Sequence, residues 1–354
     1  MPEQSLSQQL QSDIQAMQSS LGDLQTSARL ADIRDRVEDL SVKVRGLDQR
    51  IASLRKHGYA FEKDLEAQAE DFVRDWARVE PGIKRKVESE AQELESALRP
   101  LESLLAQLAG DRSPANALQP RVARLKAQVE NLESRVEGAE KSIQGEYDQF
   151  QSSVSQLETH LGKLEWTLTE LSEADFQLLA TESPLMAVKA VWAKEGKQTK
   201  QDPEGVLYLT DQRLIFEQKE KVATKKVLFV ATEKELVQEL KWEIPVVLVE
   251  DAKASKEGFL NKDDYLELRL ASGAVFDVLS IHIWQRGDEW VSLIQRAKAG
   301  DFDANRAIPI DEAVLEKVRN APTKCPSCGG AIKQVILRGM DSITCEFCGD
   351  VIRW

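Results

Sequence analysis

Residues 205–216 read Gly-Val-Leu-Tyr-Leu-Thr-Asp-Gln-Arg-Leu-Ile-Phe. Two strongly apolar runs, residues 206–210 and 214–216, flank the polar tripeptide Asp211-Gln212-Arg213. Runs of this kind, separated by two or three polar residues, predict a β-hairpin. The chain on both sides of the hairpin has the same alternation at period two, so we predict that the hairpin belongs to a β-domain.

Further strands are predicted around this hairpin. Before it, apolar residues alternate at Met186, Val188, Ala190 and Trp192. After it, the predicted strands are residues 226–231, 236–243, 246–254, 265–270 and 275–279. One face of a final helix ending near Gly300 then carries Trp284, Trp290, Val291, Ile294 and Ala297. Many short antiparallel strands followed by one helix predict a small antiparallel β-barrel or sandwich with a closing C-terminal helix.

The hairpin resembles the signature of GRAM and bacterial pleckstrin-homology-like domains, in which a strand ends in Leu-Thr-(Asp/Asn)-x-Arg-Leu. Residues 242–249, Trp-Glu-Ile-Pro-Val-Val-Leu-Val, resemble the strand that follows in that family. The resemblance covers about residues 182–300, although residues 226–241 are longer and more charged than is usual there. It implies a binding module without a catalytic centre, whose members engage phosphoinositides, other lipids or proteins.

In pleckstrin-homology folds, basic residues on loops between the first strands usually contact lipid headgroups. The lysines of those regions are Lys194, Lys197, Lys200, Lys219, Lys221, Lys225 and Lys226. Acidic residues between them leave an excess of about three positive charges, which at about 1 kcal/mol each supports weak association with an anionic membrane. The candidate lipid or partner contacts are Lys219, Lys221, Lys225 and Lys226, and the alternative is that these lysines are solvated loop charges. We interpret Arg213 as a fold residue that forms a salt bridge or caps the hairpin.

The first half of the chain has the periodicity of a helical coiled coil, predicted for residues 1–175. One seam with alternating spacings of three and four consists of Leu30, Ile33, Val37, Leu40, Val44, Leu47, Ile51 and Leu54. An earlier stripe from Leu10 to Leu24 runs in another phase, which predicts an irregularity between residues 24 and 30. We expect this helix to end at His57-Gly58.

Two more helical stretches follow. The second, about residues 60–109, is predicted to break or kink at Pro81-Gly82, with Pro100 as a second candidate position. Pro120 is predicted to open the third helix. The seam of that helix shifts phase between Ile143 and Tyr147, a stutter that locally unwinds a supercoil. Short turns favour an antiparallel three-helix bundle, and the alternative is an open rod completed by a second subunit, which would make the protein a homo-oligomer.

All four cysteines of the chain lie in its last thirty residues, in Cys325-Pro-Ser-Cys328-Gly and Cys345-Glu-Phe-Cys348-Gly. Two Cys-x-x-Cys pairs can place four thiolates around one ion, so we predict one structural Zn²⁺ held by Cys325, Cys328, Cys345 and Cys348. Four sulfur ligands leave no open position for substrate. A redox dithiol is the alternative for the first pair alone. Residues 322–354 resemble the zinc-ribbon family, whose members bind nucleic acid or protein, or stabilise a tail.

Composition argues against a nucleic-acid-binding protein and against a secreted one. The formal net charge of −13 and the absence of a basic segment argue against binding to duplex nucleic acid. The N-terminus lacks a basic region followed by an apolar one, and cysteines confined to a metal pattern suit a reducing compartment. We therefore expect a cytoplasmic protein, with a peripheral membrane location as a further alternative.

Together these features predict a multidomain α plus β protein that is not an enzyme. Its parts are a coiled coil or three-helix bundle (1–175), a pleckstrin-homology or GRAM-like β-domain (182–300), a linker (301–321) and a zinc ribbon (322–354). No phosphate-binding loop or nucleophile motif occurs, and the three histidines His57, His160 and His282 form no metal or catalytic pattern. The predicted function is an adaptor or scaffold that docks protein or membrane partners. The alternatives are a nucleic-acid-associated regulator that uses the ribbon, and a peripheral component that binds anionic lipid.

Overall fold

The computed structural model describes residues 6–227, 230–257 and 263–354, with the backbone alone for 222–227 and 230–234. The chain forms two compact units. The first comprises Met1–Asp48 and Ala67–Glu158, and the second comprises Gln49–Glu66 and Thr159–Trp354.

The first half of the chain is helical, as predicted, but its described residues form five helices where the seams predicted three helical stretches. They are α1 (Leu6–Ser27), α2 (Ala31–Lys56), α3 (Leu65–Gly110), α4 (Ala115–Gln144) and α5 (Asp148–Ser172). None of the helices in the described ranges combines the length and the apolar composition needed to cross a bilayer.

In the first unit the helices lie side by side in three rows. The first row is α1 and α2, the second is α3, and the third is α4 with the start of α5. Gln25 of α1 bonds to Glu102 of α3, and Trp76 Nε1 of α3 donates to Ser41 Oγ of α2 at 2.9 Å, so α3 runs antiparallel to the first row. Lys86 Nζ of α3 donates to Ser142 Oγ of α4 at 3.0 Å, which continues the arrangement. Apolar residues of all three rows contribute to one buried cluster within the chain, and the choice between a bundle and a rod completed by a second subunit stays a prediction.

The breaks between helices agree only in part with the sequence prediction. Leu30 has a φ of 51° between α1 and α2, which is the irregularity expected between residues 24 and 30. Neither Pro81 nor Pro100 breaks the helix, because α3 continues through both, so of the predicted break or kink only the kink stays a prediction. Apolar residues buried on either side of each proline compensate for the lost helical hydrogen bond. Pro120 does not open α4 either, since that helix begins at Ala115 after Pro114.

The phase shift of the third seam coincides with the end of α4. Residues 145–147 separate α4 from α5, and Glu146 and Tyr147 donate backbone hydrogen bonds to carbonyls three residues earlier. The tighter winding of these residues rotates α5 relative to α4, so that Ile143 and Tyr147 are both buried although their spacing breaks the heptad pattern.

The β-domain is an antiparallel sheet of seven strands in the order β4-β3-β2-β1-β7-β6-β5. The strands are β1 (Pro184–Trp192), β2 (Glu204–Thr210), β3 (Arg213–Val227), β4 (Val230–Pro245), β5 (Val249–Glu257), β6 (Asp263–Leu270) and β7 (Val278–Ile283). A 3-10 turn, Val246–Leu248, joins β4 to β5, and helix α6 (Gly287–Ala299) packs on β5 and β6. The predicted antiparallel domain with a closing helix is therefore present, but the sheet is open, with β4 and β5 at its edges, rather than a closed barrel.

Three local predictions in this domain are wrong. The strand predicted at 275–279 is shifted, because β7 runs from Val278 to Ile283. Residues 226–231 are not a separate strand, because Val227 and Val230 pair with each other at the end of the β3–β4 hairpin. Trp284 precedes α6 and is 51% exposed, whereas Trp290, Ile294 and Ala297 form its buried face. The error at residues 226–231 arose because alternating apolar residues occur both in strands and at hairpin ends. The error at Trp284 arose because Trp284 lies before Arg286, the residue that precedes the first turn of α6.

Both faces of the sheet are covered near β1, β2 and β3. On one face Ala187, Val206, Tyr208 and Ile215 are buried against side chains from the end of α5 and the segment after it, namely Trp166, Leu171, Ala174 and Phe176. The alternate residues Leu207, Leu209, Leu214 and Phe216 are buried on the opposite face. Burial on both faces explains why the sequence of this hairpin is so continuously apolar.

The segment that we interpreted as a linker is partly attached to the second unit. Ala307 N–H donates to Ala60 O at 2.7 Å, and Phe61 pairs with Arg306 in an isolated β-bridge. Helix α7 (Glu312–Arg319) follows, and then the four-cysteine segment with strands β8 (Ser342–Thr344) and β9 (Val351–Arg353). Residues 301–308 are thus anchored before the chain reaches the cysteines.

The burial of the α3 seam predicts the result of a paired substitution. Leu94 is 1% exposed and Leu104 is 40% exposed on the same helix. Leu94→Ala removes buried apolar surface and leaves a cavity, so we expect it to lower the free energy of unfolding by about 2–5 kcal/mol. Leu104→Ala serves as the control, with an expected change within about 0.5 kcal/mol. Urea unfolding followed by helical circular dichroism measures both, and equal effects would contradict the bundle core.

Candidate metal centre and neighbouring surfaces

The four cysteines converge on one point. The Sγ atoms of Cys325, Cys328, Cys345 and Cys348 all lie within 4.8 Å of one another. The closest pairs link the two motifs, with 3.7 Å from Cys325 to Cys348 and 3.7 Å from Cys328 to Cys345. The structure therefore brings together all four residues that the spacing predicted, and this group could hold a metal ion.

The two Cys-x-x-Cys turns have the same backbone geometry. In the first, Gly329 N–H donates to Cys325 O at 2.9 Å, and in the second Gly349 N–H donates to Cys345 O at 2.9 Å. Both glycines have a left-handed φ, 74° and 75°, which residues with a Cβ rarely adopt. Each turn thus directs two sulfurs toward the other turn.

The pKa values of the clustered thiols shift in opposite directions, since neighbouring sulfurs raise those of Cys328 and Cys348. The N–H groups of Cys348 and Phe347 lower the pKa of the Cys345 thiol to about 7. Gly330 N–H lies 3.4 Å from Cys328 Sγ as a donor. Thiolates bind metal ions whereas thiols do not, so these amides favour the metal-binding form at Cys345.

A small apolar core supports the centre. Ile343 of β8 and Ile352 of β9 are buried beside Cys325 and Cys345, with Ile332, Met340 and Trp354 packed around them. Few residues cover this core, which is typical of small modules that a metal stabilises. Its chemical capacity is structural, because four sulfur ligands complete a tetrahedral shell.

The cysteine module is attached to the β2–β3 turn by a buried ionic cluster that sequence reasoning missed. The Asp211 carboxylate, 4% exposed, accepts from Arg306 Nη1 at 2.7 Å and also pairs with Arg338 Nη2. Arg338 Nη1 reaches Asp303 at 3.2 Å. The sequence marked Asp211 only as a turn residue, and no local pattern links it to arginines 95 and 127 positions away.

The next residue of the turn adds backbone contacts. Gln212 Oε1 accepts from Arg338 N–H at 2.6 Å, and Gln212 Nε2 donates to Arg338 O at 3.1 Å. Gly339, with a φ of 84°, approaches the Ala180 backbone so closely that an added Cβ would lie 2.4 Å from Ala180 O. The side chain of Gln212 and the absence of one at Gly339 together fix the module against the sheet.

Arg213 has the structural role that we expected. Its guanidinium is 6% exposed and its Nε donates to Glu182 Oε1 at 2.9 Å, while Nη1 pairs with Glu243. Thr210 Oγ1 donates to the same Glu182 carboxylate at 2.6 Å. Arg213 therefore joins the hairpin to the segment before β1 and to β4.

The four candidate lysines all lie on β3, but they differ in their surroundings. Lys219 Nζ contacts Glu170 at 2.9 Å and Glu173 at 2.7 Å, so its charge is paired within the domain. Lys221 is exposed. Lys225 and Lys226 are among the last residues of β3, where the structure describes the backbone only. Their contact with lipid or a partner stays a prediction.

His160, His282 and Asp264 lie in separate parts of the structure. His160 contacts Glu62 at 2.7 Å, and His282 lies between the rings of Tyr265 and Trp284 with Gln198 Oε1 at 2.7 Å. Asp264 accepts from Gly287 N–H at the start of α6, which gives it a capping role. These groups form no common site in the described ranges.

Comparisons with known proteins give limited similarity. No protein-family model matches the chain, and no curated protein matches it. The Vps36 N-terminal PH domain is 16% identical, covering 35% of this chain and 85% of its own, with a TM-score of 0.23. A pleckstrin homology domain from Shewanella amazonensis SB2B is 21% identical over 37% of this chain and 94% of its own, with a TM-score of 0.22.

A larger neighbour contains a domain of the same kind. The DH/PH domains of p115-RhoGEF are 11% identical, covering 73% of this chain and 68% of their own, with a TM-score of 0.20. All three are or contain pleckstrin-homology domains, but TM-scores this low carry no argument. The description of the β-domain therefore rests on its own strand order and closing helix, and the GRAM and zinc-ribbon assignments stay predictions.

The sulfur geometry predicts the outcome of elemental analysis. Full-length protein purified without chelator should contain about one metal ion per chain. Cys345→Ser should lose most of it, because a serine hydroxyl does not ionise at neutral pH to replace the thiolate. Thr344→Ser, at the exposed last residue of β8 next to Cys345, should retain the metal. Metal-free wild-type protein, or equal metal in both variants, would contradict the centre.

Proposed function

We propose that this protein is a non-enzymatic adaptor that docks on an anionic membrane surface through the β3–β4 hairpin. The helical bundle supplies reach, and a four-cysteine module stabilised by one zinc ion supplies a second surface.

The proposal of zinc rests on the pair of Cys-x-x-Cys motifs, and the two shortest sulfur–sulfur distances fit a tetrahedral ion. A tetrahedron with zinc–sulfur bonds of about 2.3 Å has edges of about 3.8 Å. The two closest sulfur pairs are separated by 3.7 Å. Cys325, Cys328, Cys345 and Cys348 would hold the ion, and its role there is to close a module whose apolar core is small.

The docking role rests chiefly on one observation, the length of the β3–β4 hairpin. Strand β2 pairs with β3 only as far as Gln218, opposite Gly205. Pairing between β3 and β4 continues from Gln218 to Val227 and Val230, so the hairpin extends beyond the neighbouring strand. We call residues 219–238 the β3–β4 finger. A two-stranded ribbon gains little stability from its own pairing, so a finger of this length favours a role in contact.

The charge of the finger suggests its partner. Residues 221–232 contain three lysines, Lys221, Lys225 and Lys226, and no acidic residue. The same stretch includes the apolar sequence Val-Leu-Phe-Val-Ala at 227–231. Basic residues beside apolar ones suit an anionic lipid interface, where each lysine contributes about 1 kcal/mol. Lys219, being paired with Glu170 and Glu173, is excluded from this set.

The absence of catalysis is part of the proposal. The cysteines are committed to the metal centre, and the described histidines and carboxylates lie in separate structural contacts. Nucleic-acid contact by the cysteine module gains no support from any feature in the described part of the chain.

Flotation with vesicles tests the membrane role. The full-length protein should float with phosphatidylserine–phosphatidylcholine vesicles and not with phosphatidylcholine alone. The triple variant K221E/K225E/K226E should bind the anionic vesicles at least tenfold more weakly, since three contributions of about 1 kcal/mol are lost.

A control variant with the same change in charge is K189E/K253E/K317E, at three exposed lysines outside the finger. It should bind nearly as well as the wild type. Equal weakening of both variants, or no flotation at all at low salt, would reject the finger as a membrane contact.

A further inference from the structure

The end of α5 contacts the base of the β3–β4 finger through a pair of ionic bonds. Lys219, the first residue of the finger, donates from Nζ to Glu170 at 2.9 Å and to Glu173 at 2.7 Å. The side chains of Lys219 and Glu170 are only 18% and 17% exposed. Charge-assisted hydrogen bonds are stronger than neutral ones, so the ammonium of Lys219 is held by the domain itself.

The second strand of the finger is held at the same place. Gln238 pairs with Lys219 across the two strands. Its Nε2 donates to Glu173 O at 2.6 Å and to Glu217 Oε1 at 3.0 Å. The Glu217 carboxylate is completely buried and also accepts from the N–H of Asp175 at 2.6 Å. The segment after α5 therefore contacts both strands of the finger, and all of these residues belong to the second unit.

The ionic bonds remove one lysine from a row of basic residues on β3. Residues two positions apart on a strand lie on the same face, about 7 Å from each other. Lys219 and Lys221 are related in this way, and the pairing of β3 with β4 has no register shift between them. Lys221 is exposed, whereas Lys219 is bonded to two glutamates. Release of Lys219 would extend the row of available lysines from three to four.

The charges at the base of the finger oppose an anionic surface. Lys219, Glu170 and Glu173 together carry a net charge of −1. Anionic headgroups therefore have to compete with two carboxylates for one ammonium. Glu173 is 60% exposed, so solvent weakens its bond to the lysine. A surface that binds the released state better than the bonded state shifts the equilibrium toward release.

We propose that the contact of Lys219 with Glu170 and Glu173 is autoinhibitory, because it withholds a fourth lysine of the finger from an anionic membrane. Headgroups of high charge density displace the two carboxylates, so the protein distinguishes densely charged membranes from sparsely charged ones. The inference rests on the proposed docking of the finger and adds the regulation of that same site.

A double-mutant cycle measured by vesicle flotation tests the inference. E170Q/E173Q removes the charges that hold Lys219. It should bind phosphatidylserine–phosphatidylcholine vesicles at least fivefold more tightly, since one freed lysine contributes about 1 kcal/mol. K219Q should weaken binding about fivefold in that background and less than twofold in the otherwise unchanged chain. An equal effect of K219Q in both backgrounds would overturn the proposal.

A control variant separates release of the lysine from a change in net charge. E257Q/E267Q removes the same charge at two exposed positions of β5 and β6. It should alter vesicle binding less than twofold. If it tightens binding as much as E170Q/E173Q does, net charge alone explains the gain and the autoinhibitory contact is rejected.

Amine reactivity gives a readout that needs no membrane. In full-length protein treated with limiting N-hydroxysuccinimidyl acetate, mass spectrometry should show Lys219 reacting at least fivefold more slowly than Lys221. In E170Q/E173Q the two rates should be similar, and similar rates in the wild type would overturn the proposal.

The experiments distinguish failure of the inference from failure of the membrane role. If K221E/K225E/K226E binds vesicles as the wild type does, docking by the finger fails and the autoinhibition fails with it. If that variant is weakened but the cycle shows no coupling between Lys219 and the two glutamates, only the autoinhibition is overturned.

Discussion

The second unit depends on one buried carboxylate, that of Asp211 in the β2–β3 turn. A charge that is 4% exposed is stable only if it is paired and hydrogen-bonded. Asp211 meets this requirement with Arg306, with Arg338 and with the backbone N–H of Ser183, 3.0 Å away. Removing one partner of such a group is costly, typically about 3–5 kcal/mol, because the remaining charge stays buried. The turn, the segment after α6 and the cysteine module are therefore energetically linked.

Because of this link, a metal bound by the four cysteines would also affect contacts between the cysteine module and the β-domain. Four thiolates organise the two turns, and Ile343 and Ile352 complete a core too small to persist without them. The same module presents Arg338 and Gly339 to Gln212 and Ala180 of the β-domain, so a metal bound by the cysteines would also position these contacts. The β3–β4 finger lies at a different place in the domain, on the edge strand β4 and its neighbour β3.

Sequence reasoning succeeded where a pattern is local. Residues 205–216 contain both strands and their turn, and the spacing of the cysteines places four sulfurs together without any other information. The seams predicted the buried stripes because helical period determines which residues face the core. Sequence reasoning failed where packing between distant residues determines the local structure. Pro81 and Pro100 stay helical because buried neighbours on both sides of each proline outweigh the hydrogen bond that it loses. The partners of Asp211 lie about a hundred residues away, and no periodicity records such a contact.

Hydrogen–deuterium exchange of the full-length protein, with and without a strong metal chelator, tests most directly whether the metal centre holds the module on the sheet. Residues 179–183 contain no metal ligand, but Thr181 and Ser183 contact Arg306, and Ala180 contacts Gly339. If the linkage is correct, removing the metal increases exchange at residues 179–183 and 210–213 as well as at 322–354. An increase confined to residues 322–354 would show that the module and the β-domain are independent, and would contradict it.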